Sequence, residues 1–221
     1  MARRNYGYGR WDAPYWFIGL EQGMPPYESL CQRVKAWVDL DRRELNDCRE
    51  FHCRIGEKRW HFKQRVNLQP TWRPLMLLMM TFLERPAHEE ILRDYQRDKW
   101  GALYDKTGET CVIELSGLAA RSLNETQDSG QFLEERIEAI CNKIRSHQPK
   151  LVVMYGLRQR DSWHKIAEAT FRPEPKNFWR CGPTILTITR HPVAPTREGN
   201  QYWEELGRNL REFAQSSAAV L

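Results

Sequence analysis

Four short apolar runs punctuate the chain, at residues 15–20 (YWFIGL), 110–115 (TCVIEL), 150–155 (KLVVMY) and 184–189 (TILTIT). Each is too short for a helix and rich in β-branched or aromatic residues, which predicts buried strands. Helical periods fill the intervals. Leu30, Val34, Trp37 and Val38 fall at i, i+4, i+7 and i+8 behind a candidate N-cap, Ser29. Pro74 opens a stretch, 75–83, that is apolar nearly all round and predicts a buried helix whose methionines fill gaps in the core. Amphipathic helices are expected at 87–100, 131–146, 163–171 and 200–215, the last with Trp203, Leu206, Leu210 and Phe213 inward. Strands alternating with helices predict an α/β fold: a three-layer α/β/α sandwich around a four-stranded, mostly parallel sheet, formed by residues 1–221 as one domain.

Two segments fall outside this alternation. Residues 1–14 mix Arg3, Arg4 and Arg10 with Tyr6, Tyr8 and Trp11, and are expected to form a partly ordered arm. Residues 41–73 read as a basic, aromatic insertion. Between Arg54 and Arg65, five basic residues and one acid surround Trp60, His61 and Phe62, a mixture that suits either a solvated hairpin or a nucleic-acid contact.

Charge and cysteine content narrow the field. A formal net charge of +5 over 221 residues is mildly basic and does not by itself demand nucleic acid. The longest apolar block, 75–80, is far short of the roughly 20 residues that span a bilayer. No apolar segment follows Arg3 and Arg4, so no signal peptide and a cytoplasmic location are expected. The six cysteines contain no CxxC pair, and Cys48, His52, Cys53 and His61 fit no standard ligand spacing, so neither a metal nor another cofactor is expected.

Known phosphate loops, nucleophile elbows and HExxH are absent from the sequence. Two strand-end loops carry candidate chemistry, one with Glu21 and one with His191. In an open parallel sheet such loops meet at one edge. A carboxylate and an imidazole across one cleft suit bond cleavage by water, one handling the water and the other stabilising a departing anion.

The order of these loops resembles the uracil-DNA glycosylase superfamily. The matching segments are Gly19-Leu20-Glu21-Gln22-Gly23, the strand 111–116, Val152-Val153-Met154-Tyr155-Gly156, and His191-Pro192-Val193-Ala194-Pro195, which together span about residues 15–213. The resemblance implies hydrolysis of an N-glycosidic bond to a base in DNA, with DNA a more natural partner than RNA and no membrane role. It implies that Glu21 positions the attacking water and that His191 stabilises charge on the leaving base. Gly19, Gln22, Gly23, Tyr27, Glu114 and Ser116 would line the base pocket. Arg190, Val193, Ala194 and Arg197 would meet the duplex, with a wedge among the last three, and Arg59, Trp60 and Lys63 would add basic and stacking surface. Gln22 replaces the family's usual Pro, Val193 its Ser, and no Asn stands on the second strand near Glu114. A carboxylate cannot offer the amide donor and acceptor pair that reads uracil, which leaves the base open. An inactive nucleic-acid-binding protein of the same fold and a hydrolase of small nucleosides are the alternatives.

Overall fold

The computed structural model describes residues 1–20, 27–117, 130–170, 172–174, 178–195 and 197–216. In chain order these form β1 (Gly7–Gly9), β2 (Tyr15–Gly19), α1 (Tyr27–Asp39), β3 (Leu45–Asn46), α2 (Cys48–Arg54), α3 (Trp72–Phe82), α4 (Glu89–Asp98) and β4 (Thr110–Glu114). There follow α5 (Gly130–His147), β5 (Leu151–Tyr155), α6 (Arg160–Thr170), β6 (Arg172–Glu174), β7 (Phe178–Cys181), β8 (Thr184–Thr189) and α7 (Asn200–Ser216).

The four expected strands lie side by side and parallel in the order β4-β2-β5-β8. The first strand therefore has the second on one side and the third on the other, which is a switch point of the doubly wound kind. Because side chains alternate along a strand, each strand feeds two cores. Tyr15, Phe17, Val112, Val153 and Ile185 pack under α1, α2, α3, α4 and α7, whereas Trp16, Ile18, Cys111, Ile113, Val152, Met154 and Leu186 pack under α5 and α6. The α/β class is as the alternation of elements predicts.

The expectation of a four-stranded, mostly parallel sheet is corrected. Eight strands form one mixed sheet in the order β3-β1-β4-β2-β5-β8-β7-β6. On one flank β1 runs antiparallel to β4, with β3 parallel to β1 beyond it. On the other, β7 folds back on β8 through Gly182 and Pro183, and β6 pairs antiparallel with β7. These strands are short, and β1 is Gly-Tyr-Gly, which shows no alternating pattern. Its glycines permit the pairing: a Cβ at Gly7 or Gly9 would overlap the carbonyl oxygens of Val112 and Thr110. Residues 1–14 are accordingly no loose arm, since Asn5, Tyr6 and Tyr8 are buried and the amide of Glu114 donates to the Tyr6 carbonyl at 2.8 Å.

Residues 41–73 contain more order than their charge suggests. Asp47 caps α2, its Oδ1 accepting the Glu50 amide at 3.0 Å and its Oδ2 the Leu103 amide at 3.0 Å. Leu45, Cys48, Phe51, His52, Ile55, His61 and Val66 are buried.

Helix α3 is covered on all sides, as its apolar circumference requires: Trp72 and every residue from Pro74 to Met80 are buried. Helix α7 crosses it at Gly207, where a Cβ would stand 2.6 Å from the Leu78 carbonyl oxygen and 3.0 Å from the Thr81 Cβ. No helix among the described residues is long and apolar enough to cross a membrane.

Helix propensity alone makes Gly207→Ala stabilising by about 1 kcal/mol. The collision with a backbone oxygen outweighs it, by overpacking that typically costs about 1–3 kcal/mol. A net destabilisation in urea unfolding is expected; a gain in stability would show that the two helices are not locked at this crossing.

Candidate functional site at the carboxyl edge of the central strands

Strand register brings four side-chain positions to one level. Gly19 stands opposite Glu114, Ile18 opposite Met154, and Tyr155 opposite Thr189, so Glu114, Gly19, Tyr155 and Thr189 form a row at the carboxyl ends of β4, β2, β5 and β8. Their parity places them on the sheet face covered by α1, α3 and α7, one step beyond Val112, Phe17, Val153 and Thr187.

Gly19 is the gap in the row. A Cβ there would sit 2.5 Å from the Tyr155 hydroxyl and in overlap with a Glu114 carboxylate oxygen. The carboxylate and the phenol thus share the space that any other residue at 19 would fill. Burial, and then the neighbouring Glu114 carboxylate, push the Tyr155 hydroxyl well above its ordinary pKa, so it is a proton donor and not a phenolate.

The row continues into the loop after β8. Thr189 and Tyr202 share a hydroxyl hydrogen bond of 2.7 Å, and the His191 ring packs edge-on against Tyr155 with centroids 5.6 Å apart. The Val193 amide donates to His191 Nδ1 at 3.3 Å. Burial lowers the His191 pKa from 6.5. Together these specify a neutral imidazole whose proton is on Nε2, a hydrogen-bond donor with no charge.

Arg136 of α5 fixes the end of β4 from below. It is 1% exposed, its Nε donates to the Leu115 carbonyl at 2.6 Å and one Nη to the Glu114 carbonyl at 2.7 Å, while its guanidinium lies 4.0 Å over the Tyr6 ring. Burial lowers its pKa to about 10, which keeps it charged at neutral pH.

Gly19, Glu114, Ser116 and His191 therefore share one edge, and Ser116 is buried there. Tyr27 begins α1. Glu21, Gln22 and Gly23 lie outside the described residues. Val193 is 53% exposed on the rim and Arg197 is exposed, whereas Arg190 is occupied, its guanidinium 3.9 Å over the Tyr202 ring and 3.9 Å from the Glu198 carboxylate. Pro192, Val193 and Ala194 line a cleft of about 490 Å³ with Leu68, Arg73 and Trp203, so the end of the 41–73 segment reaches the same rim. Arg59 stacks on Trp60 at 4.3 Å, Trp60 donates to Glu57 at 2.8 Å, and Lys63 is exposed.

Tyr155 is the site residue that sequence reading missed. Its only signal was position, as the last residue of a run that ends level with Gly19. Cys48, His52 and His61 also converge, as the one group among the described residues with metal-ligand geometry. Neither a protein-family model nor a curated protein matches the sequence.

The lowered His191 pKa has a definite sign for stability. As pH falls, the unfolded chain takes up this proton first, so the linked stability is complete above 6.5 and is lost as pH drops through the folded-state value. An NMR titration of the imidazole, assigned with His191→Gln, is expected to give a midpoint below 6.5. A midpoint at or above that value contradicts a buried neutral ring.

Proposed function

We propose that the chain is a hydrolase of N-glycosidic bonds, acting on a base in DNA in the manner of the uracil-DNA glycosylase superfamily. The observation that carries this is the neutral imidazole of His191, held by the Val193 amide at 3.3 Å with its Nε2 proton available, at the strand edge that also holds Glu114 and Tyr155.

Cleaving a glycosidic bond pushes the bonding electrons onto the base, while the sugar becomes electron-poor like an oxocarbenium ion. A neutral N–H donor stabilises the anion without having held a positive charge against the sugar beforehand. A carboxylate supplies the opposite need, by orienting a water or by countering charge on the sugar. Two residues are candidates for that carboxylate, Glu21 through the resemblance and Glu114 through its place over Gly19. The Tyr155 hydroxyl can donate to a base oxygen or nitrogen, a donor that a carboxylate lacks. The exposed Val193 and Arg197 are on the rim where a duplex would be wedged and held, and the formal charge of +5 suits a polyanion.

Oligonucleotides carrying uracil, hypoxanthine, xanthine or an oxidised pyrimidine, assayed for abasic sites, test the reading. His191→Ala is expected to lower the single-turnover rate by about 10²–10³ with little change in DNA affinity. Equal rates in variant and parent would remove His191 from the chemistry. Comparing Glu21→Gln with Glu114→Gln identifies the water-handling carboxylate by the larger loss. Because the neutral imidazole is the active form, the rate is expected to be flat above 6.5 and to fall only as pH drops through the lowered His191 value. Salt-sensitive binding without product would favour the inactive binder, and cleavage of free nucleosides alone the small-molecule hydrolase.

A further inference from the structure

We propose that Cys48, His52 and His61 hold a zinc ion that fastens α2 and the turn after Trp60 to the core beneath them. One ligand-capable atom from each of the three lies within 4.8 Å of the other two, and all three residues are buried. The Cys48 sulfur is 3.5 Å from His52 Nδ1 and 3.6 Å from His61 Nε2. A tetrahedral centre with Zn–S of about 2.3 Å and Zn–N of about 2.0–2.1 Å separates sulfur and nitrogen by about 3.5–3.6 Å.

A thiol hydrogen bond has similar dimensions, and hydrogen bonding leaves one buried nitrogen of the trio, His61 Nδ1, without a partner among the described residues. Nδ1 of His52 faces both the Cys48 sulfur and, at 2.7 Å, the Cys48 carbonyl oxygen; it donates to the carbonyl in the metal-free chain, and zinc takes the proton's place at Nδ1 once the ring is protonated on Nε2 instead. His61 faces the sulfur through Nε2. A thiolate with one nitrogen from each of two imidazoles is a donor set that zinc takes.

The surroundings are dry and aromatic. The His52 ring contacts Tyr8, Phe51 and Trp72 with centroids 5.2, 6.2 and 5.2 Å away, and Trp72 also flanks His61 at 5.8 Å. Gly101 closes the site over Cys48, where a Cβ would come within 2.9 Å of the Cys48 Cβ. Such a shell permits no ready exchange, so the ion enters as the chain folds. These three side chains are the ligands that the described residues supply there. Binding exchanges the Cys48 proton for zinc and changes no oxidation state. The ion is structural, and its presence is independent of the reaction proposed above.

The full chain, purified without chelator from zinc-supplemented medium and then from cobalt-supplemented minimal medium, tests this. About one equivalent of zinc by elemental analysis is expected, with a sulfur-to-cobalt charge-transfer band in the cobalt form. Cys48→Ser and His61→Gln should each lower metal content at least about tenfold. If either variant fails to fold, the cobalt spectrum of the parent decides, since that band requires a thiolate ligand. Absence of bound metal from folded parent grown in both media would overturn the proposal. So would zinc retained at parental stoichiometry in both folded variants, or a cobalt form without the thiolate band.

Discussion

The absence of a side chain at Gly19 is the constraint on which the carboxyl edge depends. Strand pairing sets Glu114, Gly19 and Tyr155 at one level, and three full side chains could not meet there. With hydrogen at the middle position, a carboxylate and a buried phenol close over the first strand, and the edge-on contact of Tyr155 with His191 carries the arrangement across to the fourth. The groups come from four parallel strands with long intervals of chain between them. Only the sheet makes them neighbours.

Rigid elements hold each part of this row from behind. Arg136 satisfies the carbonyls of Glu114 and Leu115 while its guanidinium rests on the Tyr6 ring, so a buried cation is compensated by backbone dipoles and an aromatic face. On the opposite side Thr189 is tied to Tyr202, and α7 is set against α3 by the close approach at Gly207. The row is therefore built on strand ends and helix contacts, with the loop at 192–194 forming the rim.

A second polar cluster, Cys48 with His52 and His61, forms the inner side of the 41–73 segment. Burial drives the pKa of His52 to about 3 and that of His61 to about 4, so both rings are neutral at physiological pH. A stretch whose composition suggests a solvated surface is instead fastened to the sheet side of the molecule through Phe51, Trp72 and these rings, while its Arg59 and Lys63 face solvent. Charge counted along a chain averages over both faces of such a segment and so conceals its inner one.

The sequence by itself determined the α/β class, the four central strands and the fully buried α3, because each rests on a repeating pattern several residues long that only one kind of burial satisfies. It also singled out His191 and Gly19, through their places at strand ends. The two-to-four-residue flanking strands carry no such period, and β1 joins the sheet through glycines, so their pairing was decided by the edges left open in three dimensions. Tertiary structure alone paired Glu114 with Tyr155, assigned the His191 proton to Nε2 through one backbone amide, and brought His61 to Cys48 and His52. Each of these depends on distances across the fold, and spacing along the chain does not encode them.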